Sequence, residues 1–169
     1  MGLDISSTFI RKHQKKLLCA NGLALDLPCG TGRNLGILER LGYTVTSADI
    51  SLNSFHPEST PIRSSSSPVR IDGYTYVDSF ERRFDLVAVI HPPNHAMLDV
   101  LFKYVRVGGL LVFESFGAQG ENWKLLPAAG EIERKLAGTF DLVVYDEKAA
   151  RQSPSNVTVK LIGRRCAEC

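Results

Sequence analysis

Short apolar runs alternate with amphipathic segments along most of this chain. The clearest run, Phe84–His91, is continuous and has the length of a strand that is buried on both faces. Leu23–Leu27, Thr44–Asp49 and Leu110–Phe116 are also predicted to be strands, and a weaker strand is predicted near Val69–Tyr76. Continuous runs of this kind are typical of central strands in a parallel sheet.

The amphipathic segments predict helices between these strands. Residues 1–20 form the first predicted helix, which has a basic exposed face. Thr31–Leu41 carries leucines at helical spacing and stops before Gly42. A third helix is expected to open at Asn94 or His95, and a fourth lies near Pro127–Leu136. The alternation of strands and helices indicates a doubly wound α/β fold.

The carboxyl-terminal part departs from this alternation. Asp141–Asp146 and Asn156–Gly163 are two predicted strands with no helix between them, so we expect a hairpin that places one antiparallel strand in the sheet. The fold prediction is therefore a doubly wound, mostly parallel seven-stranded sheet with one antiparallel strand near the carboxyl terminus. Residues 51–69 fit neither period, because they are rich in proline and serine, and we expect an irregular loop there.

Composition narrows the class of protein. The 169 residues are enough for one core, so 1–169 is predicted to be a single domain. A net charge of +2 gives no reason to expect a nucleic-acid partner. No apolar run is long enough to span a bilayer and no signal peptide is evident, so we expect a cytoplasmic protein whose four cysteines are reduced.

Two acidic residues flank a glycine-containing turn in the first predicted strand–turn–helix–strand unit. Asp26 ends the first strand, four residues before Gly30, and Asp49 ends the second. This order builds a nucleotide pocket at the edge of an α/β sheet. A dinucleotide would place its pyrophosphate on the turn, where the negative charge of Asp26 is unfavourable. The pair of acids therefore favours a cationic or amino-bearing ligand over an NAD(P) cofactor, which stays an alternative because Gly30, Gly32 and Gly36 superficially fit its motif.

Four motifs occur in an order that resembles class I S-adenosylmethionine-dependent methyltransferases, from about residue 22 to residue 163. They are Leu25-Asp26-Leu27-Pro28-Cys29-Gly30-Thr31-Gly32, then Asp49, then Phe84-Asp85-Leu86-Val87, then Val107-Gly108-Gly109-Leu110-Leu111-Val112. Within that class the chain looks most like small bacterial enzymes of the tellurite-resistance type. The features are Gly32-Arg33-Asn34, Phe113-Glu114-Ser115-Phe116 and Leu125-Leu126-Pro127-Ala128-Ala129-Gly130-Glu131.

The resemblance implies S-adenosylmethionine as cofactor and assigns the residues of the turn to it. Gly30 and Gly32 would let the backbone approach the ligand, and Asp26 would balance the methionine ammonium. Asp49 would accept hydrogen bonds from the ribose hydroxyls. Pro28 belongs to the same loop and occupies the position of the family's first glycine, so here the chain departs from the usual pattern.

Three more residues receive roles from the resemblance. Ile50 would pack on the adenine face, Asp72 would lie near the adenine amino group, and His91 would lie near the reacting methyl group. His91 is a candidate general base, although a packed histidine at a strand end is the alternative. His91-Pro92-Pro93-Asn94 also resembles the motif with which amino-methyltransferases hold a target nitrogen, but its first and last residues differ.

These observations predict an enzyme that transfers a methyl group from S-adenosylmethionine to a small-molecule acceptor. A cofactor-binding protein without turnover, and an NAD(P)-binding oxidoreductase, are the alternatives. No metal site is expected, because His91 and His95 straddle two prolines and lack a third ligand.

Overall fold

A computed structural model describes residues 6–49, 69–70 and 83–167 of the protein. One sheet runs through these residues in the strand order β3-β2-β1-β4-β5-β7-β6. Its strands are β1 (Gly22–Asp26), β2 (Tyr43–Asp49), β3 (Val69–Arg70), β4 (Phe84–Ile90), β5 (Val105–Glu114), β6 (Phe140–Ala150) and β7 (Ser153–Arg165).

The sheet is mixed. The pairs β2–β3, β1–β2, β1–β4 and β4–β5 are parallel, whereas β7 runs antiparallel to both β5 and β6. The carboxyl-terminal hairpin is therefore present, as the sequence predicts. Six strands have at least five residues, and β3 adds only Val69–Arg70 instead of the predicted Val69–Tyr76. The expectation of a seven-stranded, mostly parallel sheet is met in part, by six substantial strands in a mixed sheet.

Five short α-helices accompany the sheet in the described part of the chain. They are α1 (Thr8–Lys12), α2 (Gln14–Leu17), α3 (Leu35–Arg40), α4 (Leu98–Leu101) and α5 (Glu131–Leu136). In the same residues, 3₁₀ segments cover His95–Met97, Phe102–Tyr104 and Asn122–Leu125. The single helix predicted in residues 1–20 is broken at His13, where φ is −109° and ψ is 18°.

Two element boundaries differ from the sequence prediction. The helix predicted from Thr31 begins at Leu35, because Gly32 has a φ of +77° that a helix cannot contain. Strand β5 begins at Val105 and includes Gly108, which was expected to precede it. The register between β4 and β5 shifts near this point, and Gly108 has a φ of +77°, so the glycine accommodates an irregularity in the strand.

Alternate residues of the central strands face two different clusters of the core. On one face, Val87 and Val89 pack with Leu98 of α4 and Ile132 of α5. On the other face, Leu86, Ala88 and Ile90 pack with residues of α1, α2 and α3, which are Phe9, Ile10, Leu17, Leu35, Ile37 and Leu38. Because both faces are covered, the strands are apolar without interruption, and the polar groups concentrate where the strands end.

Some of the residues with predicted roles lie outside the described residues. They are Ile50, Asp72 and almost all of the 51–69 segment. Within the described ranges, no helix is long and apolar enough to cross a membrane. Cys19, Cys29 and Cys166 take part in no disulfide bond in the described residues.

Candidate functional site

The polar residues of interest lie along one edge of the sheet. Strands β1, β2 and β5 end at Asp26, Asp49 and Glu114, and His91 directly follows β4. These strands are parallel, so their ends meet at the same side, which we call the carboxyl edge. Ligands of open α/β sheets bind at this edge.

The turn after β1 is held to its neighbours by backbone hydrogen bonds. The Leu27 amide donates to the Ala88 carbonyl at 3.0 Å, and the Cys29 amide donates to the Ala48 carbonyl at 2.9 Å. Gly30 then adopts a φ of +52°, and a Cβ built there meets no atom within 4 Å. The turn therefore has a fixed backbone with open space in front of Gly30.

Asp49, at the end of the neighbouring strand β2, is hydrogen-bonded to this turn. Its Oδ2 accepts a hydrogen bond from the Gly30 amide at 2.8 Å, and the residue is 8% exposed. This bond between residues 19 positions apart fixes the end of β2 against the glycine loop.

Asp26 is fully buried, and neither of its carboxylate oxygens makes a well-aligned hydrogen bond among the described residues, although the Asn34 side chain is close enough to stabilise its charged form. Burial raises the pKa of Asp26 to about 7 and the charge of Asp49 adds to this, whereas the nearby Asn34 amide and Arg33 guanidinium offset it in part. A buried carboxyl group without partners is costly for the folded protein. A cationic donor placed beside Asp26 would relieve that cost.

The negative charges of Asp26 and Asp49 also act on the thiol of Cys29. Burial raises its pKa, and the charges of Asp26 and Asp49 raise it further. The turn is thus electronegative as well as open. Such a turn favours a cation and disfavours a phosphate group.

His91, which directly follows β4, is held in a strained conformation. Its φ is +55°, in the left-handed region that non-glycine residues seldom adopt, and it precedes Pro92. The His91 amide donates to the Glu114 carbonyl at 2.7 Å, and its ring stacks on Phe116 with centroids 5.4 Å apart. Strain of this kind is found at functional sites, where the surroundings enforce it.

The imidazole of His91 contacts Arg33. Nη2 of Arg33 lies 2.8 Å from Nδ1 of His91. Because a guanidinium only donates, Nδ1 is the acceptor and the ring proton of His91 is on Nε2. Burial and the Arg33 charge lower the pKa of His91, although the Glu114 carboxylate acts in the opposite direction. His91 is therefore a neutral ring that presents a donor, Nε2–H, at the carboxyl edge.

Glu114 is the second buried carboxylate of this edge, and it is fully partnered. Its Oε2 accepts from the Ser7 hydroxyl at 2.6 Å, and its Oε1 lies 2.7 Å from Nζ of Lys160. The Ser7 amide in turn donates to Oδ1 of Asn34 at 3.0 Å. These contacts attach the start of α1 to both β5 and the glycine turn.

The structure thus brings together most of the residues that the sequence singled out. Asp26, Pro28, Gly30, Gly32 and Asp49 share one loop region, and His91 lies at the end of the adjacent strand β4.

Sequence reasoning did not assign Ser7, Arg33, Glu114 or Lys160 to the carboxyl edge. A glutamate that directly follows the apolar run Leu110–Phe113 was a signal for Glu114. No local signal points to its partner Ser7, which is 107 positions away.

His95 and Asn94 make contacts other than the metal and substrate contacts that were considered from the sequence. Nε2 of His95 lies 2.9 Å from Glu131, so His95 links the loop after β4 to the start of α5. Oδ1 of Asn94 accepts from the Ala96 amide at 2.9 Å and caps the 3₁₀ segment. The side-chain oxygen of Asn94 is thus already hydrogen-bonded to the neighbouring backbone. No cluster of metal-ligating residues occurs in the described part of the chain.

Comparison with known proteins gives the fold. No family model matches the sequence, and no curated protein matches it. The N-methyltransferase NodS from Bradyrhizobium japonicum WM9, crystallised with S-adenosyl-L-homocysteine, has a TM-score of 0.67 at 18% identity, with 95% of this chain and 89% of that chain covered. The 1,6-didemethyltoxoflavin-N1-methyltransferase of Burkholderia thailandensis has a TM-score of 0.64 at 17% identity, covering 96% and 80%.

The chain has the fold of S-adenosylmethionine-dependent methyltransferases. In a second structure of NodS, 98% of this chain and 100% of that chain superpose with a TM-score of 0.65 at 20% identity. The small α/β sheet and its hairpin are therefore shared over nearly the whole length. At these identities the likeness concerns the fold, and the residues of the carboxyl edge have to carry the argument for function.

Proposed function

We propose that the protein is a methyltransferase that uses S-adenosylmethionine and acts on a small-molecule acceptor. The observation that carries the proposal is Asp26, a fully buried carboxyl group whose two oxygens make no well-aligned hydrogen bond among the described residues. A buried acid in this state has hydrogen-bonding capacity left over for a ligand. Its position beside an open glycine turn is where a methyltransferase fold would hold the methionine end of its cofactor.

The residues of the turn fit this cofactor. Asp26 would hold the ammonium group, and the open space at Gly30 would admit the ligand against the backbone. Asp49, which already accepts from the Gly30 amide, would also accept hydrogen bonds from the ribose hydroxyls. When bound, S-adenosylmethionine supplies an electrophilic methyl group on a cationic sulfonium. Ile50 and Asp72 remain proposed for the adenine side.

The charge of the turn argues against the dinucleotide alternative. Beyond the effect of burial, the charges of Asp26 and Asp49 both raise the pKa of the Cys29 thiol. A pyrophosphate group would meet two carboxylates at the place where it needs donors. A ligand with a sulfonium and an ammonium group meets the opposite charge.

We assign the acceptor side of the site to His91. Its Nε2 carries the proton, so in this arrangement His91 donates a hydrogen bond to the acceptor and orients it. Methyl transfer to an acceptor that is already nucleophilic needs alignment and exclusion of water more than it needs a strong base. The resemblance to tellurite-resistance-type enzymes is compatible with a small acceptor of this kind.

Calorimetric titration with S-adenosylmethionine, S-adenosylhomocysteine and NADPH tests the proposal. We expect both sulfur ligands to bind and NADPH not to bind. Transfer of a labelled methyl group to a panel of small acceptors then separates an enzyme from a binding protein. Binding of NADPH alone would exclude the proposed function, and binding without transfer to any acceptor would favour the non-catalytic alternative.

A further inference from the structure

Ser47 of β2 is a second buried polar group close to Asp26. It is 1% exposed, and its hydroxyl group makes no hydrogen bond among the described residues. A buried hydroxyl group in this state destabilises the folded protein, and an alanine would avoid that destabilisation. The described contacts therefore give this hydroxyl group no structural role, and its hydrogen-bonding capacity is left for the site.

The pairing of the strands places Ser47 directly beside Asp26. The two residues are opposite each other in the parallel register of β1 and β2. The preceding pair on the same face, Ala24 and Val45, belongs to the core cluster that packs on α1, α2 and α3. Because side chains two positions apart in a strand point to the same face, the Asp26 carboxyl group and the Ser47 hydroxyl group share that face.

The strand on the other side of Asp26 offers an apolar neighbour. There, β4 places Ala88 opposite Asp26, so of the two register partners only Ser47 has a polar side chain. The Asn34 side chain also approaches Asp26. Oδ1 of Asn34 already accepts from the Ser7 amide, so its amino group is the part that can donate to Asp26.

The charged groups that act on Asp26 oppose one another. Arg33 favours the ionised carboxyl group, whereas Asp49 at the end of β2 disfavours it. Burial raises the pKa of the Cys29 thiol, which is therefore uncharged at neutral pH. Together with burial, these groups leave the pKa of Asp26 raised to about 7. One additional hydrogen-bond donor would therefore increase the ionised fraction of Asp26 considerably at neutral pH.

We propose that Ser47 is a positioning residue for Asp26, whose hydroxyl group donates a hydrogen bond to the ionised carboxylate. A serine hydroxyl group rotates to suit its neighbour, and a hydrogen bond to a charged acceptor is stronger than one between neutral groups. This bond favours the charged form of Asp26. The proposal rests on the proposed function, because the ammonium group of the cofactor requires an ionised Asp26.

The affinity for S-adenosylhomocysteine at pH 6 and at pH 8.5 tests this role. Ser47→Ala should weaken binding roughly fivefold to tenfold at pH 6, because less of its Asp26 is ionised. The loss should be less than about twofold at pH 8.5, where Asp26 is mostly ionised in both proteins. Ser47→Cys keeps the volume of the side chain but has only a weak donor, so it should behave like Ser47→Ala.

Thr46→Val is the matched control for the loss of a hydroxyl group from β2. Thr46 is opposite Leu25, which belongs to the core cluster on the other face of the sheet. The affinity of Thr46→Val should therefore follow that of the native protein at both pH values. A native-like profile in Ser47→Cys, or an equal loss of affinity at both pH values in Ser47→Ala, would overturn the role of Ser47.

The titration of Asp26 in the free protein is a readout that needs no ligand. Carbon-13 spectra of the carboxyl groups follow it, and Asp26→Asn identifies the signal. We expect a higher pKa of Asp26 in Ser47→Ala and Ser47→Cys than in the native protein and Thr46→Val, and an unchanged pKa would overturn the inference. If the pKa is raised but the native protein does not bind S-adenosylhomocysteine, the proposed function fails and the contact of Ser47 with Asp26 stands.

Discussion

Asp26 and Glu114 are two buried carboxyl groups at the same edge of the same sheet, and their surroundings are opposite. Glu114 has a hydroxyl and an ammonium partner from its own chain. Asp26 makes no well-aligned hydrogen bond among the described residues, and burial raises its pKa to about 7. Glu114 is explained by the fold that it holds together. Burial of Asp26 destabilises the folded protein, and the proposed cationic ligand would offset that destabilisation.

The largest expected effect comes from removing the charge of Asp26. Its folded-state pKa of about 7 lies above the ordinary value of 3.8, so the unfolded chain loses this proton first as the pH rises. The free energy of unfolding should therefore fall between pH 4 and pH 7 by on the order of 4 kcal/mol through this group alone. Asp26→Asn should lack that part of the decline. Urea denaturation of both proteins at a series of pH values measures the difference, and parallel curves would show that Asp26 is not destabilising.

Glu114 should behave in the opposite way. Glu114→Ala removes the partner of the buried Ser7 hydroxyl and of Lys160, and we expect the unliganded protein to lose about 3 kcal/mol of stability. Glu121→Ala is the control, because that side chain is 85% exposed and should change stability by less than about 0.5 kcal/mol. A Glu114→Ala protein as stable as the control would mean that the network contributes nothing, and the contrast with Asp26 would disappear.

Asp49, a third acid at this edge, allows the comparison to be tested through the affinity for S-adenosylhomocysteine. Loss of its carboxylate in Asp49→Ala should weaken S-adenosylhomocysteine binding by about 2 kcal/mol, since the proposed ribose hydrogen bonds and the observed bond to Gly30 would be lost together. Calorimetry measures the affinity. Asp99→Ala, which changes a half-exposed acid on α4, is the control and should bind normally. Unchanged affinity in Asp49→Ala would remove Asp49 from the site.

The smallest effect concerns the attachment of α1. The Ser7 hydroxyl caps α1 by accepting from the Ile10 amide at 3.4 Å and also donates to Glu114. Ser7→Ala should cost about 1 kcal/mol of unfolding free energy. Thermal or urea denaturation measures this, with Thr8→Ala at the next, exposed position as control. In the Glu114→Ala background the cost of Ser7→Ala should shrink, because the shared bond is already lost.

The same contrast explains what could be predicted from the sequence. Asp26, Gly30 and Asp49 follow one another along a strand–turn–helix–strand unit, so their spacing alone predicts that they meet. The central strands are recognisable because both of their faces are buried. The resemblance to methyltransferases rests on these local patterns, and the fold agrees with it.

The contacts of the proposed acceptor side could not be predicted in this way. The contact of Arg33 with His91 joins residues 58 positions apart, and the contact of Ser7 with Glu114 joins residues 107 apart. Such pairs depend on which strand ends adjoin in the folded sheet, and no periodicity encodes this. Helix boundaries were misplaced for a related reason, because the backbone of Gly32 delays the start of α3 until Leu35.

Proton release on ligand binding tests the central claim most directly. S-adenosylhomocysteine is titrated into the native protein and Asp26→Asn at pH 7, in two buffers of different ionisation enthalpy. An ammonium group beside Asp26 lowers its pKa, so the native protein should release a fraction of a proton on binding. Asp26→Asn should release none from this position and bind at least about tenfold more weakly. Equal affinity and equal proton release in the two proteins would contradict the assignment of Asp26 to the cofactor.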